Sequence, residues 1–149
     1  MAILSWGKCT IEHSTSTAGA PGTTWTAIDT PRLDSTKLTP TAGQTIDAQE
    51  EGGEIVDSRT GKTTYELDWY NFVKKGGTRP FTDTDGVITG EHAIRITPED
   101  EACEGILIDR CTLRVEEEYT TADGKLLHYY AKCLKPASGQ TIKPYTKGE

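Results

Sequence analysis

The stretch ILIDRCTLRVEEEYTTADGKLLHYYAKCLK, Ile106 to Lys135, holds two alternating apolar runs on either side of a turn, and its reading decides the fold. At its centre Thr121-Ala122-Asp123-Gly124-Lys125 suits a type I turn closed by a glycine in the left-handed region, the three-residue hairpin loop with a bulge. That turn pairs Thr121 with Lys125. Counting outward sets Tyr119 opposite Leu127, Glu117 opposite Tyr129, Val115 opposite Ala131 and Leu113 opposite Cys133, so the mostly apolar sets of the two strands share one face. The other face carries Thr112, Arg114, Glu116 and Glu118 against Leu134, Lys132, Tyr130 and His128, with Tyr130 and Leu134 as candidates for a second contact. Before Cys111 the apolar parity changes, from Ile106 and Ile108 to Cys111, Leu113 and Val115, as a bulge near Asp109-Arg110 produces. The expectation is a long, bent hairpin.

A chain of 149 residues suits one domain, and a domain of that size buries roughly 70% of its unfolded surface, enough for a core without staples. Hydrophobic residues are 34% and aromatics 7%, low for a compact monomer, while Gly, Thr and Pro are plentiful, which favours strands and long loops. The net charge of -7 excludes a protein that grips nucleic acid by its phosphates, because that term needs clustered Lys and Arg. Ile3-Leu4 is the only apolar start, with neither a basic n-region nor an h-region, so the expectation is a chain made in the cytosol. Cys9, Cys103, Cys111 and Cys133 contain no C-x-x-C, and in the register above Cys111 lies diagonal to Cys133, so reduced thiols are expected.

Along the chain, residues 3 to 13 alternate loosely and read as a first strand, and Trp25 to Ile28 as a short one, separated by a small, polar stretch with a Pro21-Gly22 turn. Asp29 to Glu51 shows no apolar period of either kind and reads as a long loop, a feature usually functional or disordered. Glu54 to Ser58 and Thr63 to Val73 flank Thr60-Gly61 and read as a second hairpin, with Tyr65, Leu67, Trp69 and Asn71 alternating against polar neighbours. Glu91 to Thr97 is a further strand. Thr97-Pro98-Glu99-Asp100 has the cap, proline and early carboxylates of a helix start that Gly105 stops within about two turns. Pro136 to Glu149 is an extended tail. The fold class is therefore mainly β, an antiparallel sandwich or barrel with long loops and at most one short helix, in a single domain.

No constellation assembles an active site. Gly61-Lys62-Thr63 resembles the end of a P-loop, but Val56 stands where its first glycine is needed and no helix follows. Asp83-Thr84-Asp85-Gly86 lacks the third acidic position and the closing glutamate of a calcium loop and reads as a turn. Glu116-Glu117-Glu118 cannot put three carboxylates on one side of a strand. His13, His92 and His128 have no ligand spacing, and His128 opposite Glu118 reads as a surface ion pair. Cys111 and Cys133 read as small buried hydrophobes. Neither catalytic residues, nor a metal, nor a cofactor is expected.

From Asp34-Ser35-Thr36-Lys37-Leu38-Thr39-Pro40 through Glu51-Gly52-Gly53-Glu54, Tyr65-Glu66-Leu67 and Pro80-Phe81-Thr82-Asp83 to Tyr119-Thr120-Thr121-Ala122-Asp123-Gly124-Lys125, the chain resembles the small tail-tube proteins of tailed phages and prophages. The resemblance lies in the order of strands and loops. It implies a fold similar to the tube protein of type VI secretion, hexameric rings stacked into a tube in the virion tail, partnership with other tail proteins, and DNA that passes without tight binding. An acidic lumen suits that passage, since fixed positive charge would bind phosphate. Candidate contacts between subunits are Leu33, Leu38, Ile46, Tyr130, Leu134 and Tyr145, with the 29 to 51 segment ordering on a neighbour. The competing expectation is a monomeric β-sandwich binding module for a small ligand or glycan.

Overall fold

The computed structural model describes residues 3–147, so the last two residues of the expected tail lie outside the described ones. The strands are β1 (Thr10–Thr17), β2 (Ala20–Pro21), β3 (Thr26–Ala27), β4 (Lys37–Thr41), β5 (Thr45–Gln49), β6 (Ile55–Thr60), β7 (Thr64–Phe72), β8 (His92–Thr97), β9 (Gly105–Thr120), β10 (Gly124–Cys133) and β11 (Ile142–Tyr145). There is no helix among the described residues. The chain is all-β, with one curled antiparallel sheet and a second, two-stranded one. The helix start read at Thr97-Pro98-Glu99-Asp100 is a turn instead. There Asp100 turns the chain locally, its carboxylate accepting from the Ala102 amide at 3.0 Å and its carbonyl from the Cys103 amide at 3.0 Å.

β9 organises the sheet. Its first half lies between β8 on one edge and β11 on the other, and its second half pairs with β10. Ile94 faces Ile108, yet His92 faces Cys111, so Asp109 and Arg110 together oppose Ala93: the bulge stands where the change of apolar parity puts it. β10 continues to β7, and β8 to β1. Ile11, Ile94, Ile108, Leu127, Tyr129, Leu67 and Trp69, drawn from strands across the whole sheet, meet in one cluster, which requires the sheet to curl around it. Leu113, Val115, Ala131 and Cys133 face that cluster as the alternation requires.

The hairpin register differs from the expected one by two residues. Thr120 pairs with Gly124, Tyr129 with Val115, Ala131 with Leu113 and Cys133 with Cys111. A shift of two preserves both faces, so the apolar pattern does not distinguish the two registers. The turn does: the Thr120 hydroxyl accepts the Asp123 amide at 3.0 Å, and Gly124 closes the loop at φ 77°.

Three further expectations are corrected. The first strand begins at Thr10 rather than residue 3, and Ile3, Leu4 and Trp6 are exposed. The 29 to 51 segment is not structureless, and β6 does not pair with β7. Instead β4 pairs with β7, from Lys37 with Asp68 to Thr41 with Thr64, and β5 pairs with β6, from Thr45 with Thr60 onward. Gln44 and Gly61 continue the same pairing between them, the Gly61 amide donating to the Gln44 carbonyl at 2.8 Å. Residues 37 to 68 thus form one long hairpin whose outer half, residues 45 to 60, leaves the sheet as an arm. At its root a Cβ on Gly43 would lie 2.3 Å from the Gly61 carbonyl carbon. Gly43→Val is therefore expected to force the strands apart there, raising amide exchange across residues 42 to 63 while the hydrogen exchange of β9 and β10 stays as it is; unchanged exchange at the arm root would refute it.

Candidate assembly surface

The motifs that might have carried chemistry are placed as structural elements. Lys62 is exposed in the chain crossing between β6 and β7. Asp83 accepts the Gly86 amide at 3.0 Å and forms a turn. The three consecutive glutamates part company: Glu116 pairs with Arg114, Glu117 with Lys125 and Arg79, and Glu118 approaches His128. Hydrogen bonds from Lys125, then Arg79, hold the Glu117 carboxyl below its ordinary range. Among the described residues no group of three or more His, Cys, Asp or Glu is placed to hold a metal.

His128 corrects the sequence reading most sharply. It is 7% exposed, not a surface residue, and its imidazole lies between the rings of Tyr70, at 3.9 Å, and Tyr130, at 4.1 Å. Its Nε2 meets buried Asp68 at 2.9 Å. The guanidinium of Arg32 covers Tyr70 at 4.6 Å and that of Arg114 covers Tyr130 at 3.8 Å, giving a five-membered stack across the outer face of β7, β10 and β9. Arg32 brings its loop with it, since its amide donates to the Tyr70 carbonyl and the Ser35 hydroxyl accepts the Tyr70 amide. Tyr130, expected as a contact for another subunit, is thereby used within its own.

His13 sits on the inner side, tilted against Phe81 at 4.5 Å, with His92 on the same ring at 5.2 Å. Burial, then the nearby His92, holds the His13 pKa below 6.5. The sign follows: with its folded pKa depressed, neutral His13 contributes stability above pH 6.5 that is lost as pH falls through the folded value. A proton NMR titration is expected to give His13 a midpoint below 6.5; a midpoint above it would contradict the packing against Phe81.

Of the other expected contacts, Leu38 packs against the core and Leu134 is half-buried beside the bulge, its amide bonded to the Arg110 carbonyl. Tyr145 flanks Arg95, whose other side is covered by Trp25 at 4.4 Å and whose guanidinium grips Glu12. Leu33, 85% exposed, and Ile46, 55% exposed, remain free of the core. What sequence reasoning missed is the arm that carries Ile46. Every residue from 45 to 60 is exposed, including Ile55 and Val56 at 58% and 57%. The arm holds Asp47, Glu50, Glu51, Glu54 and Asp57 against Arg59 alone. Elsewhere a groove of about 660 Å³ runs between residues 5 to 9 and residues 30 to 38, with Leu38, Leu67, Ile96 and Ile106 as its apolar lining and Lys8 and Asp34 among its polar residues. Compared with known proteins, the chain matches no family model and no curated protein.

Proposed function

We propose that this chain is a structural protein of a phage or prophage tail, building the inner tube by forming rings that stack, and that DNA passes through it without tight binding. The observation that carries the reading is the arm. An isolated two-stranded hairpin is at best marginally stable in water, yet this one projects apolar side chains at Ile46, Ile55 and Val56 that touch no core of their own subunit. Such a ribbon gains order and burial when a neighbouring copy receives it. The groove supplies an apolar receiving surface, with Leu38, Leu67, Ile96 and Ile106 in its lining and Lys8 beside them. Arm and groove lie on different parts of the chain, so their contact is heterologous and propagates from subunit to subunit, closing into a ring or continuing as a stack according to its rotation. The acidic composition supports free passage of DNA.

Sedimentation velocity over a wide concentration range, followed by negative-stain electron microscopy of the most concentrated sample, tests the reading. Rings or short tubes are expected. A protein that remains monomeric throughout would overturn it. The groove alone supports the second reading, a monomeric binding module, since its volume falls in the range of small-molecule sites; under that reading a ligand is bound and no assembly forms.

A further inference from the structure

We propose that Cys111 and Cys133 are an oxidisable dithiol, which peroxide closes into a cross-strand disulfide at the base of the β9–β10 hairpin without rearranging either strand. The two cysteines are direct partners across the antiparallel pair, and none of the chain's four cysteines is in a disulfide. Two hydrogen bonds fix which kind of pair this is. The Leu134 amide donates to the Arg110 carbonyl at 2.9 Å, which makes residues 110 and 134 a hydrogen-bonded pair and their neighbours 111 and 133 a non-hydrogen-bonded one. On the far side of β10 the Val73 amide donates to the Lys125 carbonyl, so odd-numbered β10 residues turn their backbone groups toward β7 and away from β9. In a non-hydrogen-bonded pair the Cα atoms lie about 4.5 Å apart with side chains on one face, and disulfides form at Cα separations from about 4.4 Å upward.

The surroundings set the order of events. Both thiols are on the core side, Cys111 at 0% and Cys133 at 7% exposure. The Cys111 thiol donates to the His92 carbonyl at 3.2 Å and is the more protected. Burial raises both thiol pKa values, that of Cys133 to about 11, so reaction is slow at neutral pH and quickens as pH rises. Cys133 therefore meets peroxide first. Its thiolate attacks one peroxide oxygen, giving the sulfenic acid and hydroxide, which takes the proton lost from the thiol and leaves as water. The Cys111 sulfur then attacks the sulfenic sulfur, the S–O bond breaks, and a second water carries away that oxygen with the Cys111 proton. Two thiols are oxidised and one peroxide is reduced.

The test treats the folded protein with hydrogen peroxide at mildly alkaline pH, then unfolds it in alkylating agent and maps the peptides by mass spectrometry. The expected product is a Cys111–Cys133 linked peptide, two hydrogen masses lighter than its reduced halves, while Cys9 and Cys103 are recovered outside it. A Cys9→Ser, Cys103→Ser double variant should give the same link, and Cys133→Ser should abolish it. Recovery of Cys111 and Cys133 as alkylated thiols or as sulfinic acids would overturn the proposal. So would a link that appears only when denaturant accompanies the peroxide, because it would require the strands to move.

Discussion

Trp69→Ala is expected to lower the unfolding free energy by about 3 to 5 kcal/mol, a large share of the ~5 to 15 kcal/mol that holds a domain together. Trp69 is 0% exposed on β7 and stacks on Tyr129 of β10 at 5.4 Å. Phe81 meets the same Tyr129 edge-on at 5.7 Å, so one tyrosine joins the sheet to the long connection before β8. Alanine at position 69 removes the transfer energy of the indole and leaves a cavity that Tyr129 and Phe81 cannot close without leaving their rotamers. It also orphans a polar chain. The indole Nε1 donates to Asn71 Oδ1 at 2.7 Å, and the Asn71 amide donates to the Asp29 carbonyl at 2.9 Å, which pins the start of the connection to β4. Urea unfolding followed by circular dichroism reads the effect as a lower midpoint at constant slope. A loss below about 1 kcal/mol would mean that Trp69 is not the centre of this core.

Much of this core is legible in the sequence because it is built by alternation. Leu67 and Trp69, Leu113 and Val115, and Tyr129 and Ala131 each sit two residues apart, and a period of two has one solution when one face is buried. The bulge at Asp109-Arg110 is legible for the same reason, as a break in that period. What alternation cannot express is a shift by two, and the hairpin register was missed by that amount; its consequence is the facing cysteine pair in place of a diagonal one. Strand order is also silent. His128 is polar by composition, and only the placement of Tyr70 and Asp68 on the neighbouring β7 buries it. The arm was missed on different grounds. Thr45, Ile46, Asp47, Ala48 and Gln49 have no buried face within the subunit, so nothing in the subunit selects an alternating pattern for them.

That same absence makes removal of the arm the most direct probe of the proposed assembly. Replacing Thr45–Thr60 by an Asn-Gly turn is expected to leave the curled sheet folded while abolishing ring formation or stacking. Gln44 and Gly61 are already bonded backbone to backbone, so a two-residue turn closes the shortened hairpin with β4 and β7 still in register. Within the subunit every deleted residue is exposed and none joins the core, and the melting temperature should change little. In the proposed assembly the loss is larger. Full burial of one Ile or Val side chain is worth about 1.5 to 3 kcal/mol. Ile46, Ile55 and Val56, each more than half exposed, would then contribute about 2 to 4 kcal/mol per contact, raising the concentration needed for assembly about 30-fold or more. Circular dichroism and thermal melting report the sheet, and electron microscopy with sedimentation reports the assembly. A shortened chain that polymerises at the original concentration would take the arm out of the contact, and one that unfolds would show that the ribbon stabilises the sheet it leaves.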